Sequence, residues 1–187
     1  MKVETVDIPG LLLIAPVRHG DERGYFSEVF RRDIFERHAG PVQFVQDNHS
    51  KSARRGTLRG LHCQKPPNPQ GKLVRVTRGR ALDVAVDIRK GSPACGKHFA
   101  VELSAANGKQ LWIPPGFLHG YCTLEDDTEV LYKVTDYYSP GVDCGVRYDD
   151  PDLAIRWPLL ERDLILSAKD LGLPLLKDVE AWFDYEG

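Results

Sequence analysis

The sequence is short of the features that mark a membrane span, a disulfide framework or a polyanion binder. No apolar run approaches the roughly 20 residues that span a bilayer. The run Leu11-Leu12-Leu13-Ile14-Ala15 is closed by Pro16 and Arg18. The first residues lack the charged, apolar, small-residue order of a secretory leader. Cys63, Cys95, Cys122 and Cys144 are widely spaced and form no CxxC, so they read as reduced thiols of a cytoplasmic protein. A net charge of -2 supplies no basic field for nucleic acid or an anionic membrane. Any anion must therefore be held by a local cluster of Arg and Lys. Neither GxGxxG nor GxxxxGK(S/T) occurs, which removes the standard dinucleotide and P-loop sites. No repeat, low-complexity stretch or linker divides the 187 residues, a length that suits one domain with a sizeable core.

What is present is mostly strand. In Leu73 to Ile88, the residues Leu82, Val84, Val86 and Ile88 share one parity, the pattern of a half-buried strand, after a turn at Arg78-Gly79. Lys109 to Ile113 reads as a second strand, stopped by Pro114-Pro115-Gly116. Thr128 to Thr135 reads as a third, with Val130, Tyr132 and Val134 on one face. The aromatics of GYFSEVF mark another near the N-terminus. Short helices are expected over Arg32 to His38, ended near Gly40, and from Ser167. Many short strands separated by Gly and Pro predict an all-β sandwich or barrel with a few short peripheral helices.

The segment RGLHCQKPPNPQGKLVRV concentrates the chemistry. Arg59, His62 and Lys72 place a guanidinium, an imidazole and an ammonium close to one sheet surface. In one pocket, Arg59 would hold a phosphate, His62 would take a proton, and Lys72 would stabilise the oxyanion left behind. No nucleophilic serine or paired metal ligand sits beside them. The competing reading of His62 is a structural histidine bonded to backbone. Residues 59 and 62 also differ by an odd number, so a regular strand points them to opposite faces unless Gly60 marks a bulge. Tyr132, mid-strand among apolar neighbours, is either a core tyrosine or a proton donor. Asp170 either completes a cap begun by Ser167 or orients and charges His62.

Pro114 to His119 fits P-x-G-x-x-H, a pattern shared with the second motif of cupin barrels. Metal-binding cupins carry H-x-H and a nearby Glu in the first motif. Here the residues are His62-Cys63-Gln64, with no Glu in the next dozen. A metal-free site is the expectation, and a metal cupin with unusual ligands the alternative. Other polar clusters suit ligand contacts, or solvated loops. Arg23 and Glu28 flank two aromatics, Gln46-Asp47-Asn48 offers amides, and Tyr137-Tyr138 offers a stacking surface.

Several segments in one order make a closer match. DERGYFSEVF, QDNHSKS, TLRGLHCQKPPNPQGKLVRV, DVAVDIRKGSP, LWIPPGFLHGY, YKVTDYYSP and LSAKD resemble the dTDP-4-dehydrorhamnose 3,5-epimerases. The similarity runs from about residue 21 to 170, with 171–187 as a C-terminal extension of one domain. It implies a metal-free, cofactor-free cupin-like jelly roll, active as a homodimer on a dTDP-linked 4-keto-6-deoxy sugar. It implies His62 as base, Asp170 as its partner, Tyr132 as acid and Lys72 beside the C4 oxygen. It implies Arg59 and His119 near the diphosphate and sugar, and Arg23, Phe26, Glu28, Gln46, Asp47 and Asn48 at the nucleotide portion. Tyr138 falls at the thymine-stacking position, and Asp143 and Lys169 at further ligand contacts. Cys63 departs from the aromatic residue usual there.

The chemistry implied is inversion at C3 and C5 through an enolate next to the C4 ketone. Two rivals stand. One is a monofunctional epimerase or ketoisomerase on the same kind of sugar. The other is a binding module without turnover, which would not need a paired acid and base.

Overall fold

The protein is described here by a computed structural model covering residues 1–186. In chain order the elements are β1 (Lys2–Thr5), β2 (Leu12–Ala15), β3 (His19–Asp21), β4 (Gly24–Phe26), α1 (Arg32–Ala39), β5 (Gln46–Ser52), β6 (Leu58–Gln64) and β7 (Lys72–Arg78). They continue with β8 (Arg80–Asp87), β9 (Arg89–Lys90), β10 (His98–Ser104), β11 (Gln110–Ile113), β12 (Phe117–Thr123), β13 (Thr128–Val134), β14 (Asp143–Gly145), α2 (Ala168–Leu171) and β15 (Phe183–Asp184). Two antiparallel sheets carry the fold, ordered β1-β2-β11-β7-β13-β5 and β10-β8-β12-β6-β14. Strands β7 and β8 are consecutive yet belong to different sheets. Gly79, at φ +70°, makes the corner between them, where a Cβ would meet Thr128 Oγ1 at 2.5 Å. This is the all-β sandwich that the strand pattern predicts, in the jelly-roll form that the family resemblance implies.

The sheets face each other across an apolar core. Val74, Val76, Leu111, Ile113 and Val130 come from the first sheet, and Ala81, Ala85, Leu103, Phe117 and Tyr121 from the second. Alternation along each strand sends the other parity outward. On the outside of the first sheet, Leu12, Ile14, Leu73 and Trp112 are covered by Phe35 of α1 and by Phe30 and Phe44. The Phe35 and Trp112 rings meet edge to face at 5.1 Å between centroids. On the outside of the second, Leu61, Val84, Val86 and Leu118 are covered by Trp157, Leu176, Val179, Trp182 and Phe183. Residues 171–186 thus supply part of that cover, and β15 pairs with β9. Strands β1 and β2, ahead of residue 21, form one end of the first sheet.

Three local expectations change. Strand β8 is not half-buried. Ala81, Asp83, Ala85 and Asp87 are as buried as Val84 and Val86, because the core lies on one side and the C-terminal segment on the other. In GYFSEVF only Gly24–Phe26 forms strand, in an exposed hairpin with β3. Phe30 leaves it to pack on Phe35 and Phe44 at 5.6 and 5.4 Å. Gln46–Asn48, open to a loop reading, begins β5, a polar strand at the sheet edge whose alternate residues face a solvated cleft. The helix expected over 32–38 spans Arg32–Ala39, closed by Gly40 at φ 75°. Among the described residues no helix is long and apolar enough to cross a membrane.

Candidate active site

At one open end of the sandwich the inner faces diverge and expose polar side chains to a cleft of two lobes. The larger, about 520 Å³, is walled by Arg59, His62 and His119 of the second sheet and by Ser50, Lys72 and Tyr132 of the first, with Lys169 and Asp170 beside them. The smaller, about 370 Å³, is lined by Gln46, Asn48, Gln64, Tyr138 and Asp143. His62, Lys72, Tyr132 and Lys169 border both.

Strand β6 delivers Arg59 and His62 to the same lobe despite their odd separation. His119 stands opposite His62, and Tyr121 opposite Arg59, so three steps on β6 match two on β12. That extra residue is a bulge, and it reverses the parity. Gly60 makes it possible. Its φ is +124°, and a Cβ there would lie 2.6 Å from the Gly120 Cα.

His62 Nε2 lies 2.6 Å from Asp170 Oδ1. Asp170 is held in turn, since Ser167 Oγ donates to its Oδ2 at 2.8 Å and accepts from its backbone N–H at 3.1 Å. The cap and the dyad are thus one arrangement: the helix start at Ser167 aims the carboxylate at the imidazole. With Nε2–H donated to that carboxylate, the Nδ1 lone pair is the free one. Burial pushes His62 below the ordinary value, Asp170 pulls it up, and the charges of Lys169 and Lys72 push it down again. The net effect preserves the neutral, proton-accepting imidazole to lower pH.

Lys72 Nζ donates to the His62 carbonyl oxygen at 3.4 Å, and burial lowers its pKa. Tyr132 projects from β13 into the same cleft. Its burial raises the phenol pKa against the opposing charge of Arg59, so the hydroxyl keeps its proton at neutral pH. Imidazole and phenol thus approach from facing sheets. His119 Nε2 lies 3.0 and 3.1 Å from the Asp83 carboxylate oxygens. In the smaller lobe, Asp143 Oδ2 accepts from Lys169 Nζ at 2.5 Å and from the Tyr138 hydroxyl at 3.1 Å. Gln46 Oε1 accepts from the Tyr138 backbone N–H at 3.1 Å. An enol-forming site needs a base, an oxyanion partner and an acid in one cavity, and side chains with the chemistry for each, His62, Lys72 and Tyr132, line this one.

A family profile described as dTDP-4-dehydrorhamnose 3,5-epimerase matches residues 5–178. The chain belongs to the dTDP-4-dehydrorhamnose 3,5-epimerase family. It is 50% identical over 185 residues to the epimerase of that name from Sinorhizobium fredii, covering 99% of this chain and 94% of the relative. The dTDP-6-deoxy-D-glucose-3,5-epimerase of Legionella pneumophila, solved in complex with dTDP-4-keto-L-rhamnose, superposes with TM-score 0.94 at 44% identity, covering 100% and 99% of the two chains. ChmJ of Streptomyces bikiniensis, a 3'-monoepimerase solved in complex with dTDP-quinovose, superposes with TM-score 0.84 at 36% identity, covering 92% and 86%.

Eleven of the residues singled out in the sequence reach this epimerase-family cleft: Gln46, Asn48, Arg59, His62, Lys72, His119, Tyr132, Tyr138, Asp143, Lys169 and Asp170. Four do not. Asp47 alternates with Gln46 and Asn48, so it faces outward and binds Lys133 Nζ at 2.9 Å. Arg23, Phe26 and Glu28 lie on or just after the β3–β4 hairpin, outside both lobes. Arg23 is paired there with Asp21, and Phe26 is 68% exposed. Sequence reasoning missed Asp83, whose signal was an acidic residue between the apolar positions of a strand interior. It also missed Gln64, whose side chain ties Asn68, Tyr137 and Ser139 to the rim of the smaller lobe.

Proposed function

We propose that this protein inverts C3 and C5 of dTDP-4-dehydro-6-deoxy-D-glucose, giving dTDP-4-dehydro-L-rhamnose, and so serves dTDP-rhamnose biosynthesis. The C4 ketone acidifies the hydrogens on its neighbours. His62, charged by Asp170 as it accepts a proton, removes one of them. Lys72 stabilises the enolate oxygen, and Tyr132 delivers a proton from the other side of the ring. Repetition at the second carbon completes the reaction, with no redox cofactor required. Each positioned acid or base contributes roughly 10²–10⁴-fold, and enolate stabilisation adds to this. The observation that carries the reading is a half-buried histidine on one sheet, paired with the buried Asp170 of α2, facing a half-buried phenol on the other sheet, with an ammonium at their side. A binding module needs no such set.

The larger lobe suits the sugar and Arg59 the diphosphate, while Gln46, Asn48, Tyr138, Asp143 and Lys169 suit the nucleotide. The monoepimerase reading is kept alive by the likeness to ChmJ. Incubation with dTDP-4-dehydro-6-deoxy-D-glucose in D2O, read by NMR, separates the possibilities. Deuterium at C3 and C5 supports the double epimerase, and deuterium at one carbon supports the single. Binding without exchange would refute catalysis. The metal-free assignment expects full activity after exhaustive chelation, and loss that zinc or iron restores would overturn it.

This reading also takes the active form as a cytoplasmic homodimer of one domain, residues 1–187. Support comes from the hairpin and its approach: Val17, Tyr25 and Phe26 are 50%, 61% and 68% exposed, an apolar surface open to solvent apart from the Arg18 guanidinium 4.4 Å over the Tyr25 ring. Seated on a second copy, it would carry Arg23, Phe26 and Glu28 to that copy's nucleotide lobe. Light scattering of the wild type should give twice the chain mass, and F26A should raise KM for the nucleotide sugar. A monomer with full activity rejects this part.

A further inference from the structure

Two thiols that the mechanism does not use lie side by side behind the site. Cys63 on β6 and Cys144 on β14 are cross-strand partners, and both are free. Their Sγ atoms are 3.4 Å apart. They join the apolar layer of Leu61, Val84 and Val146 under the C-terminal segment, and Cys63 also borders the smaller lobe. Directly opposed residues in an antiparallel pair have Cα atoms about 4.5–5.5 Å apart. A disulfide bridges about 4.4–6.8 Å. The bond therefore needs no change of register, only closure of the sulfurs by about 1.3 Å, from 3.4 Å to about 2.05 Å.

We propose that Cys63 and Cys144 form an oxidation site at which a peroxide closes a cross-strand disulfide, reversibly lowering turnover. Cys144, the more exposed of the two, attacks the peroxide as the thiolate. The O–O bond breaks, Cys144 becomes a sulfenic acid, and the departing hydroxide takes a proton to leave as water. The Cys63 thiol then displaces the sulfenic oxygen, its proton leaving with a second water, and the S–S bond forms. Two thiols and one hydrogen peroxide give one disulfide and two waters; the sulfurs lose two electrons and the peroxide gains them. Hydrogen bonding between the sulfurs supports the order of events, because it lowers Cys144 and, together with burial, raises Cys63.

Each sulfur adjoins a residue of the site. Cys63 follows the base His62. Cys144 follows Asp143, which anchors Lys169 and Tyr138. Closure pulls both strands, and a displacement of about 1 Å at a reacting group costs on the order of 10²-fold. Even a shared displacement should cost at least ~10-fold in turnover.

Wild-type enzyme is treated with hydrogen peroxide and digested without reduction. The expected result is a Cys63–Cys144 linked peptide, lighter by two hydrogens, with turnover down at least ~10-fold and restored by dithiothreitol. Cys144→Ser should keep the activity of the reduced enzyme and resist peroxide. Should that variant fold poorly, the peptide map and dithiothreitol reversal on wild type carry the test. Absence of the linked peptide, or a bond formed with turnover unchanged, overturns the proposal. The inference leans on the epimerase reading only for its activity arm, since the peptide map needs no substrate.

Discussion

Replacing Asp170 by asparagine isolates the dyad with little change of shape. The side chain is 5% exposed, its Oδ1 lies 2.6 Å from His62 Nε2, and its backbone N–H is held by Ser167. The variant keeps a hydrogen-bond acceptor but loses the charge that supports the imidazolium formed when His62 takes a proton. A hydrogen bond to a charged group contributes about 1.5–3 kcal/mol, and each 1.36 kcal/mol is about tenfold in rate. The expected loss of kcat is therefore roughly 10- to 160-fold, undiscounted because the carboxylate is buried. The pH profile supplies the sharper signature. In the wild type, burial holds His62 below the ordinary imidazole value of 6.5 while Asp170 partly offsets this. Activity from a neutral base is lost as pH falls through the folded pKa, so the acidic limb should lie below 6.5. Removing Asp170 deletes a raising contribution, so the limb should move to still lower pH. Deuterium incorporation by NMR across pH 4–8, beside the thermal melt of each variant, reads both effects. A folded variant within twofold of wild type, or with its acidic limb moved upward, would refute the dyad.

Tyr132→Phe removes the acid from the facing sheet and should lower inversion by ~10²–10⁴-fold. Solvent deuterium should still enter through His62 with retention, and equal loss of exchange and inversion would count against the two-face scheme. Lys72→Gln should cost about 10²–10³-fold in kcat, the scale of a lost oxyanion donor, with KM changed far less; a pure KM effect would make Lys72 a binding residue. Phe35→Ala empties the centre of the outer aromatic cluster, where Phe30, Phe44 and Trp112 lie within 5.6 Å between centroids. It should destabilise by ~3–5 kcal/mol in urea melts, and a loss under 1 kcal/mol would mean the cluster is not a packed core.

The class of the fold and the chemistry of its parts are legible in the residues alone. Period-two patterning with Gly and Pro between short segments specifies strands, because side chains alternate across a pleat and those residues break it. Imidazole, phenol, ammonium and carboxylate carry their proton chemistry wherever they are placed. Which of them meet depends on how distant parts of the chain pack together. Asp170 lies 108 positions from His62, and nothing local to LSAKD says whether the carboxylate ends as a cap or as a dyad partner. The bulge at Gly60 settled the parity of Arg59 against His62, because it depends on how β6 lies against Gly120 of β12. The burial that shifts His62, Lys72 and Tyr132 exists only between two sheets. Arg23, Phe26 and Glu28 mark the opposite limit: their residue types suggested a ligand, but one folded chain leaves them outside its own cleft.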